Sequence, residues 1–322
     1  MAAKGTSYLI IGSGVFGVST AYHLIQKYPT ASVTLVDRDA YDAESRVAAS
    51  WDWNKVVRAD YDDKVYCQLA LEAQDVFQSD PLWKPYFHQT GVYWICRSSY
   101  AQDVINHHKG FGRHNDIEAL PVAQARKMFD GLFDNADYTG AKEVLLNKSS
   151  GWELGVKYVT AEVATLEFDG RRCIGAKTRD GNRLLSSHVI VSAGAFTPTL
   201  LEMSAEASGN EGLSAGSRIL AAGITTGMAQ LTAEQYQKFK NMPVGFQGYT
   251  PNEGLYIATC GSFHGYKFFP VLGKYITQMM EGELSPELAD KWAWDRKRPD
   301  PSQNVEYPNT EANHLLERMT KL

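Results

Sequence analysis

The chain has 322 residues, of which 44% are hydrophobic and 21% are charged, as is typical of a globular protein. That length allows one large domain or two interleaved ones. The net charge of −5 argues against nucleic acid and anionic membranes as partners, because both favour a basic face. No apolar stretch approaches the roughly 18 residues that a membrane-spanning helix needs. The four cysteines form no CxxC pair, so we expect neither a disulfide framework nor a metal site in a soluble intracellular protein.

The first predicted elements surround a glycine-rich turn in YLIIGSGVFGVSTAYHLIQ, residues 8–26. A short apolar run predicts a buried strand, and the apolar spacing over 15–27 predicts a helix. Between them the G-x-G-x-x-G spacing is typical of a loop whose backbone approaches a pyrophosphate, with the helix N-terminus facing the phosphates. The glycines of this spacing are Gly12, Gly14 and Gly17.

A second apolar strand, SVTLVD, ends in Asp37, which follows the glycine loop by about 20 residues, as the dinucleotide-binding fingerprint requires. A carboxylate at that position accepts hydrogen bonds from a ribose 2′-hydroxyl and repels a 2′-phosphate, so the pattern disfavours NADP. The fingerprint by itself leaves NAD and FAD open.

Further along the chain, the pattern predicts a helix over 62–77, a strand near 92–96 and mainly helical structure over 101–130. Residues 162–192 predict a β-meander that ends in an apolar strand, and small residues follow it at 192–195. We expect a loop over 202–217, and then a buried strand, a Gly-rich turn and a helix within 253–284. The predicted apolar side of that helix is Val271, Leu272, Tyr275, Ile276 and Met279.

Five stretches show a common likeness: NKVVRADYDD (54–63), DPLWKPYFHQTGVYWI (80–95), HVIVSAGAF (188–196), GSFHGYKFFPVLGKY (261–275) and KWAWDR (291–296). In this order they resemble the fungal fructosyl amino acid oxidases, especially their saccharopine oxidase branch, within the wider family of monomeric sarcosine oxidase. The resemblance implies FAD rather than NAD.

The resemblance also implies an α/β fold class, in which a Rossmann-type FAD-binding domain with a β-meander is interleaved with an α+β substrate domain. That substrate domain is expected to be truncated or partly absent. The expected FAD-binding domain is discontinuous, at 1–60, 147–200 and 254–296. The incomplete substrate domain takes 61–146 and 201–253, and a C-terminal tail takes 297–322.

The chemistry implied by the resemblance is oxidation of a secondary amine in an N-substituted amino acid, either saccharopine-like or fructosyl. Hydride passes from the carbon beside the nitrogen to the flavin, water hydrolyses the imine, and oxygen reoxidises the flavin to give hydrogen peroxide. The implied partners are therefore the amine substrate and molecular oxygen, and we expect a monomer.

The resemblance places the substrate carboxylate at Arg58 and Lys267, since cationic side chains bind carboxylates. It places Lys55 opposite the flavin, where a positive charge favours the anionic reduced form. His264 has two interpretations: it polarises the substrate, or it donates to a backbone carbonyl. The cofactor-binding residues implied in this way are Gly12, Gly14, Val15, Phe16, Gly17, Asp37, Arg38, Asn54, Lys55, Val159, Ala193, Gly194, Gly265, Tyr266 and Lys267.

The chain departs from the resemblance at two junctions. At 147–160 only two residues separate the SGW stretch from GVKYVT, whereas a parallel crossover needs a dozen or more. At 242–260 a large strand-rich segment of the family is absent, and with it the cysteine that the family links covalently to the flavin; no cysteine adjoins Gln247. Three explanations stay open: segments that lack order without bound FAD and are omitted between intact flanks, a shortened form, or loss of oxidase function. We favour the first.

Two alternative functions stay open beside the amine oxidase. One is a flavin oxidase that tailors a secondary metabolite, and the other is a shortened or apo pseudo-oxidase without turnover. The chain ends in Thr320-Lys321-Leu322, which is close to the S-K-L address, so we expect a peroxisomal protein or otherwise a cytoplasmic one.

Overall fold

The computed structural model describes residues 6–39, 49, 55–153, 161–219, 230–240, 242–247 and 265–293. These residues fall into two compact units. The first is drawn from Met1–Trp53, Gly155–Ala222 and Ala258–Arg296, and the second from Asn54–Leu154 and Gly223–Ile257. The assignment of FAD binding and substrate binding to separate domains stays a prediction. Within the described ranges, every helix is too short or too polar to cross a bilayer.

The strands and helices are numbered in chain order. The strands are β1 (Ser7–Ile11), β2 (Ser32–Val36), β3 (Lys55–Val57), β4 (Val92–Cys96), β5 (Ile117–Leu120), β6 (Glu143–Asn147), β7 (Gly151–Glu153), β8 (Val163–Asp169), β9 (Arg172–Thr178), β10 (Arg183–Leu185), β11 (His188–Val191) and β12 (Val244–Gln247). The helices are α1 (Val15–Lys27), α2 (Lys64–Ser79), α3 (Tyr100–Gly110), α4 (Val122–Ala125), α5 (Thr197–Ser208), α6 (Ala233–Phe239), α7 (Phe269–Glu281) and α8 (Pro286–Trp292).

The first unit contains a parallel sheet in the order β11-β1-β2. Its central strand β1 is apolar and buried from Tyr8 to Ile11, as expected of a strand with parallel neighbours on both sides. The strands β8, β9 and β10 form a separate antiparallel meander, and side chains of this meander share one core with β1, β2 and α5. The carboxyl ends of all three parallel strands therefore lie at one edge, where ligands bind in open α/β sheets.

Two helices of the first unit, α1 and α7, cross at very close range. The buried Ser19 hydroxyl donates a hydrogen bond to the Phe269 carbonyl at 2.5 Å and accepts one from the Gly273 amide at 2.7 Å. Gly273 has no side chain to separate the two backbones. The crossing holds the start of α7 beside α1.

The second unit contains a four-stranded sheet in the order β12-β4-β6-β5. Every residue of β4 is buried, because side chains pack on both faces of the sheet. One face carries Trp94 and the apolar side of α3, and the other carries Tyr93 and Ile95. A two-stranded antiparallel ribbon joins β3 to β7, with Lys55 opposite Glu153.

Several predictions from the sequence are confirmed: β1, α1, β2, β4, the meander and α7 lie where the patterns placed them. The prediction of mainly helical structure over 101–130 is confirmed at α3 and α4 but was wrong at Ile117–Leu120, where β5 lies between them. Ile117 and Leu120 are buried in this strand through pairing with β6. A strand of four residues is too short for its period to show in the sequence.

The predicted loop over 202–217 was wrong for 202–208, because α5 continues to Ser208, whereas only short turns follow over 209–217. Its small residues Ser204 and Ala205 are buried, and the Ser204 hydroxyl accepts a hydrogen bond from the Leu166 amide of β8 at 2.9 Å. Small side chains allow this close packing, and they were mistaken for loop composition. On α7, Met279 was assigned to the apolar side, but it is 48% exposed.

Several predicted features lie outside the described residues. They are Asn54, Val159, His264, the strand near 255–260, most of the second junction, and the C-terminal segment 297–322 with its address. The peroxisomal address stays a prediction.

We expect Gly273→Ala to destabilise the first unit by about 2–3 kcal/mol, the range for overpacking a tight contact. A Cβ at Gly273 would lie 2.0 Å from the Ser19 carbonyl oxygen and 2.7 Å from the Thr20 nitrogen, so both backbones would have to move apart. Urea unfolding followed by circular dichroism measures the change. The matched control is Gly110→Ala at the end of α3, where a Cβ meets nothing within 4 Å. That variant should be neutral or up to about 1 kcal/mol more stable, and equal losses in both variants would contradict the packing argument.

Candidate functional site

The glycine loop of the first unit depends on backbone segments that touch directly. Gly12 has φ +104°, and a Cβ there would lie 2.3 Å from the Ser192 carbonyl oxygen. A Cβ at Gly17 would lie 1.9 Å from the Gly12 carbonyl oxygen. Any side chain at either position would push apart the loop and its neighbours. The structure therefore requires glycine at these two positions for the reason that the fingerprint predicts.

The N-terminus of α1 opens directly from this loop. Its N-cap residue is Gly14, whose lack of a side chain leaves the first helical N–H groups without a capping oxygen. Val15 and Phe16 contribute N–H groups to this first turn. A helix N-terminus combines such donors with the positive end of the helix dipole, which favours a phosphate group.

The carboxylate of Asp37 is tied to the glycine loop. Its Oδ2 accepts hydrogen bonds from the Ser13 amide at 2.7 Å and the Ser13 hydroxyl at 2.8 Å, and its Oδ1 accepts one from the Asp39 amide at 3.0 Å. A carboxylate has about four acceptor positions, so one remains for a ribose hydroxyl. The sequence analysis missed Ser13, although a hydroxyl residue inside the glycine motif was a visible signal.

Arg38 lies beside Asp37 and stacks on an aromatic ring. Its guanidinium carbon is 4.2 Å from the centre of the Phe196 ring, and its Nε donates to Asp39 Oδ1 at 3.1 Å. The hydrogen bond to Asp39 raises the pKa of Arg38 above its usual value. Ala193 and Gly194 lie two to three residues before Phe196 in the chain, and Ala193 Cα lies close to Gly12. The structure thus brings Arg38, Ala193 and Gly194 to the same edge as the glycine loop.

A single helical turn, Gly265–Phe268, leads into α7. Lys267 in this turn is only 4% exposed, and Tyr266 packs its ring 5.7 Å from that of Phe269. Because α7 is bound to α1 through Ser19, this turn stays in the same unit as the glycine loop.

The second unit contains a buried cation at the end of β3. Arg58 is 2% exposed, and its Nη1 donates to the Asp60 carbonyl and to the Tyr100 hydroxyl, the latter at 3.1 Å. Its guanidinium lies 4.4 Å from the Trp94 ring centre and 5.1 Å from that of Tyr61. These aromatic contacts and hydrogen bonds offset part of the cost of burying the charge. Lys55 of β3 is also buried.

A carboxylate follows this arginine closely in the chain. Asp60 is fully buried, and its Oδ1 accepts a hydrogen bond from the side-chain Nδ2 of Asn147 at 2.7 Å. Burial, together with the charges of Asp60 and Asp63, raises the pKa of the Cys67 thiol to about 12. Cys67 is therefore a neutral thiol at physiological pH and does not act as a nucleophile.

The predicted site residues divide between the two units. The glycine loop, Asp37, Arg38, Ala193, Gly194 and the 265–267 turn belong to the first unit, whereas Lys55 and Arg58 belong to the second. The sequence analysis missed Trp94 and Tyr100 around Arg58. Periodicity alone would have assigned both to the core.

A family model for FAD-dependent oxidoreductases matches residues 7–214. The chain belongs to the FAD-dependent oxidoreductase family. L-saccharopine oxidase of Schizosaccharomyces pombe is 27% identical to it over an alignment of 270 residues, and this alignment covers 74% of this chain and 59% of that protein. The resemblance seen in the sequence is confirmed at the level of the family, and with it the α/β FAD-binding fold.

Solved structures of two other proteins share the fold of this FAD-dependent oxidoreductase. Fructosyl peptide oxidase from E. terrenum has a TM-score of 0.68 at 19% identity and covers 98% of both chains. Fructosamine oxidase from Aspergillus fumigatus (Amadoriase II), in complex with FSA, has a TM-score of 0.65 at 21% identity, and covers 92% of this chain and 91% of its own. The matched region nevertheless spans less than two thirds of the curated saccharopine oxidase.

The residues of the first unit fit FAD. Gly12 and Gly17 keep open a cradle that a Cβ would fill. The first turn of α1 offers N–H groups for the pyrophosphate, and Asp37 keeps an acceptor position for the ribose. The N–H donors therefore suit the phosphates of an adenine dinucleotide, and the carboxylate suits its ribose.

We expect Asp37→Asn to weaken FAD binding by about tenfold or more, as for the loss of a charge-assisted hydrogen bond. The substitution places an amide group where Asp37 now accepts from Ser13 and offers the ribose a weaker acceptor. Titration of the apoprotein with FAD, followed by flavin fluorescence, measures the dissociation constant. Asp169→Asn, at an exposed carboxylate on the meander of the same unit, should bind FAD as the parent does. Equal affinity of all three proteins would refute the assignment of Asp37.

Proposed function

We propose that this protein is an FAD-dependent oxidase of a secondary amine in an N-substituted amino acid. Saccharopine-like and fructosyl amino acids are the candidate substrates. The names of the saccharopine oxidase and the fructosamine oxidase support an amine of this class. The observation that carries the proposal is the buried and oriented guanidinium of Arg58, because an amino-acid substrate needs a cation for its carboxylate.

Arg58 is suited to this role by its rigid surroundings. The Tyr100 hydroxyl and the Asp60 carbonyl hold Nη1, and the rings of Trp94 and Tyr61 hold the plane of the guanidinium. A planar donor fixed before the substrate arrives loses little conformational entropy on binding. In the low-dielectric surroundings of a buried site, its attraction for a carboxylate is stronger than in water.

Lys55 would supply a second buried positive charge, which stabilises negative charge that develops during the reaction. FAD, when bound, would supply the acceptor for a hydride from the carbon beside the amine nitrogen and the route for those electrons to oxygen, which would yield hydrogen peroxide. Water then hydrolyses the resulting imine. The roles of Lys267 and His264 stay predictions of the resemblance.

A form without turnover is the second candidate function. The observation that favours it is the 59% share of the saccharopine oxidase that the match covers. The proposal is tested by adding saccharopine, fructosyl-valine or sarcosine to the FAD-loaded protein and measuring peroxide. Peroxide release supports the oxidase. Bound FAD without peroxide from any of them favours a flavin oxidase for another amine, and no uptake of FAD favours the pseudo-oxidase.

If the protein is contiguous as printed, FAD should be held without a covalent bond, because no cysteine adjoins Gln247, where the resemblance expects the linking residue; a covalent link would instead favour an omitted segment that contains this cysteine. The yellow flavin absorption should therefore leave the protein on acid precipitation and appear in the supernatant. Flavin that stays with the precipitated polypeptide would show a covalent link and contradict this prediction.

We expect Arg58→Met to raise KM about tenfold or more for a carboxylate substrate and much less for its carboxamide. The substitution keeps an unbranched apolar stem but removes the charge that attracts the carboxylate. The measurement is a comparison of kcat and KM for the two substrates by peroxide release. Arg97→Met is the matched control, because that arginine of the same unit donates to the Thr139 and Asp137 carbonyls instead. An equal rise for acid and amide would count against carboxylate binding by Arg58.

A further inference from the structure

The segment 58–61, here called the clamp segment, is held to α3 by side chains at three successive carbonyls. His108 Nε2 lies 3.1 Å from the Ala59 carbonyl oxygen, and the Tyr100 hydroxyl donates to the Asp60 carbonyl at 2.5 Å. His107 Nδ1 lies 3.2 Å from the Tyr61 carbonyl oxygen. The spacing of these side chains along α3 places them on one face of the helix.

His108 differs from the other two because both of its ring nitrogens face carbonyl oxygens. Its Nδ1 lies 3.1 Å from the Arg113 carbonyl oxygen, on the opposite side of the ring from Ala59. Carbonyl oxygens only accept hydrogen bonds, and a neutral imidazole has a single N–H donor. The ring spans the two carbonyls and joins the clamp segment to the chain just after α3. The side chain is 1% exposed, so water cannot easily take its place.

We propose that His108 is a positioning residue that fixes the clamp segment to the end of α3 and thereby orients Arg58. Ala59 is covalently joined to Arg58, so a fixed Ala59 carbonyl limits the backbone from which the arginine side chain extends. The effect on substrate binding rests on the proposed function of Arg58. The order of the clamp segment does not depend on that function.

The first experiment observes the ring directly. In protein labelled with ¹⁵N in its histidine rings, NMR should show a ring N–H that exchanges slowly with solvent, and His108→Gln should remove that signal. His114→Gln, at an exposed histidine just beyond α3, should leave it in place. A His108 ring N–H that exchanges as fast as that of an exposed histidine would overturn the proposal. The measurement needs neither FAD nor substrate.

The second experiment measures the position of the clamp segment. A glutamine at 108 cannot span the two carbonyls as the ring does, so amide hydrogen exchange over 58–61 should rise about tenfold in His108→Gln. His114→Gln should match the parent. Tyr100→Phe removes the donor to the Asp60 carbonyl and should raise exchange in the same residues, which keeps the test valid if His108→Gln does not fold. Unchanged exchange in the folded variants would overturn the proposal.

The third experiment links position to function. If the parent releases peroxide, His108→Gln should raise KM for the carboxylate substrate about tenfold, with kcat and the KM of the carboxamide nearly unchanged. An equal effect on acid and amide would overturn the positioning role. If the parent has no turnover, the proposed function fails, while the ring NMR and the exchange of 58–61 still decide the inference.

Discussion

Direct contact between backbones is the constraint on which the nucleotide-binding half of this protein depends. The Gly12 backbone lies against Ser192, and that of Gly17 against Gly12, each closer than a Cβ allows. The same solution recurs where α7 crosses α1 at Gly273 and Ser19. These close backbone contacts bring together the end of β11, the start of α1 and the turn before α7. The residues that would hold FAD are therefore positioned by the absence of side chains at least as much as by the presence of polar ones.

The second unit buries a positively charged side chain. Arg58 is surrounded by the rings of Trp94 and Tyr61, and hydrogen bonds fix one of its nitrogens. An isolated buried charge is costly, so its partners must be held firmly. The helix α3 provides this support along its whole length, with Tyr100 in its first turn and His108 in its last. A buried cation with such support fits the proposed binding of a carboxylate, because well-packed apolar residues would stabilise a core at least as well.

Family membership and local geometry support each other at different levels. The match over residues 7–214 assigns the chain to the FAD-dependent oxidoreductases, and the glycine loop with Asp37 gives that assignment a physical basis. The fold shared with solved fructosyl peptide and fructosamine oxidases does not by itself select a substrate, because one fold hosts many functions. The substrate class is argued from Arg58 and its surroundings instead.

The sequence by itself determined the parts that rest on local spacing. The apolar run, the glycines and Asp37 predicted β1, α1, β2 and a dinucleotide, because the chemistry of that motif lies within about 30 consecutive residues. Resemblance identified Arg58 and Lys55. Only the tertiary structure decided what surrounds them: Ser13 on Asp37, Phe196 under Arg38, and Trp94, Tyr100 and His108 around the clamp segment. It also corrected β5 and α5, since burial against a partner strand or helix overrides weak local preference. These contacts join residues far apart in the chain, and no local pattern records which side chains will meet.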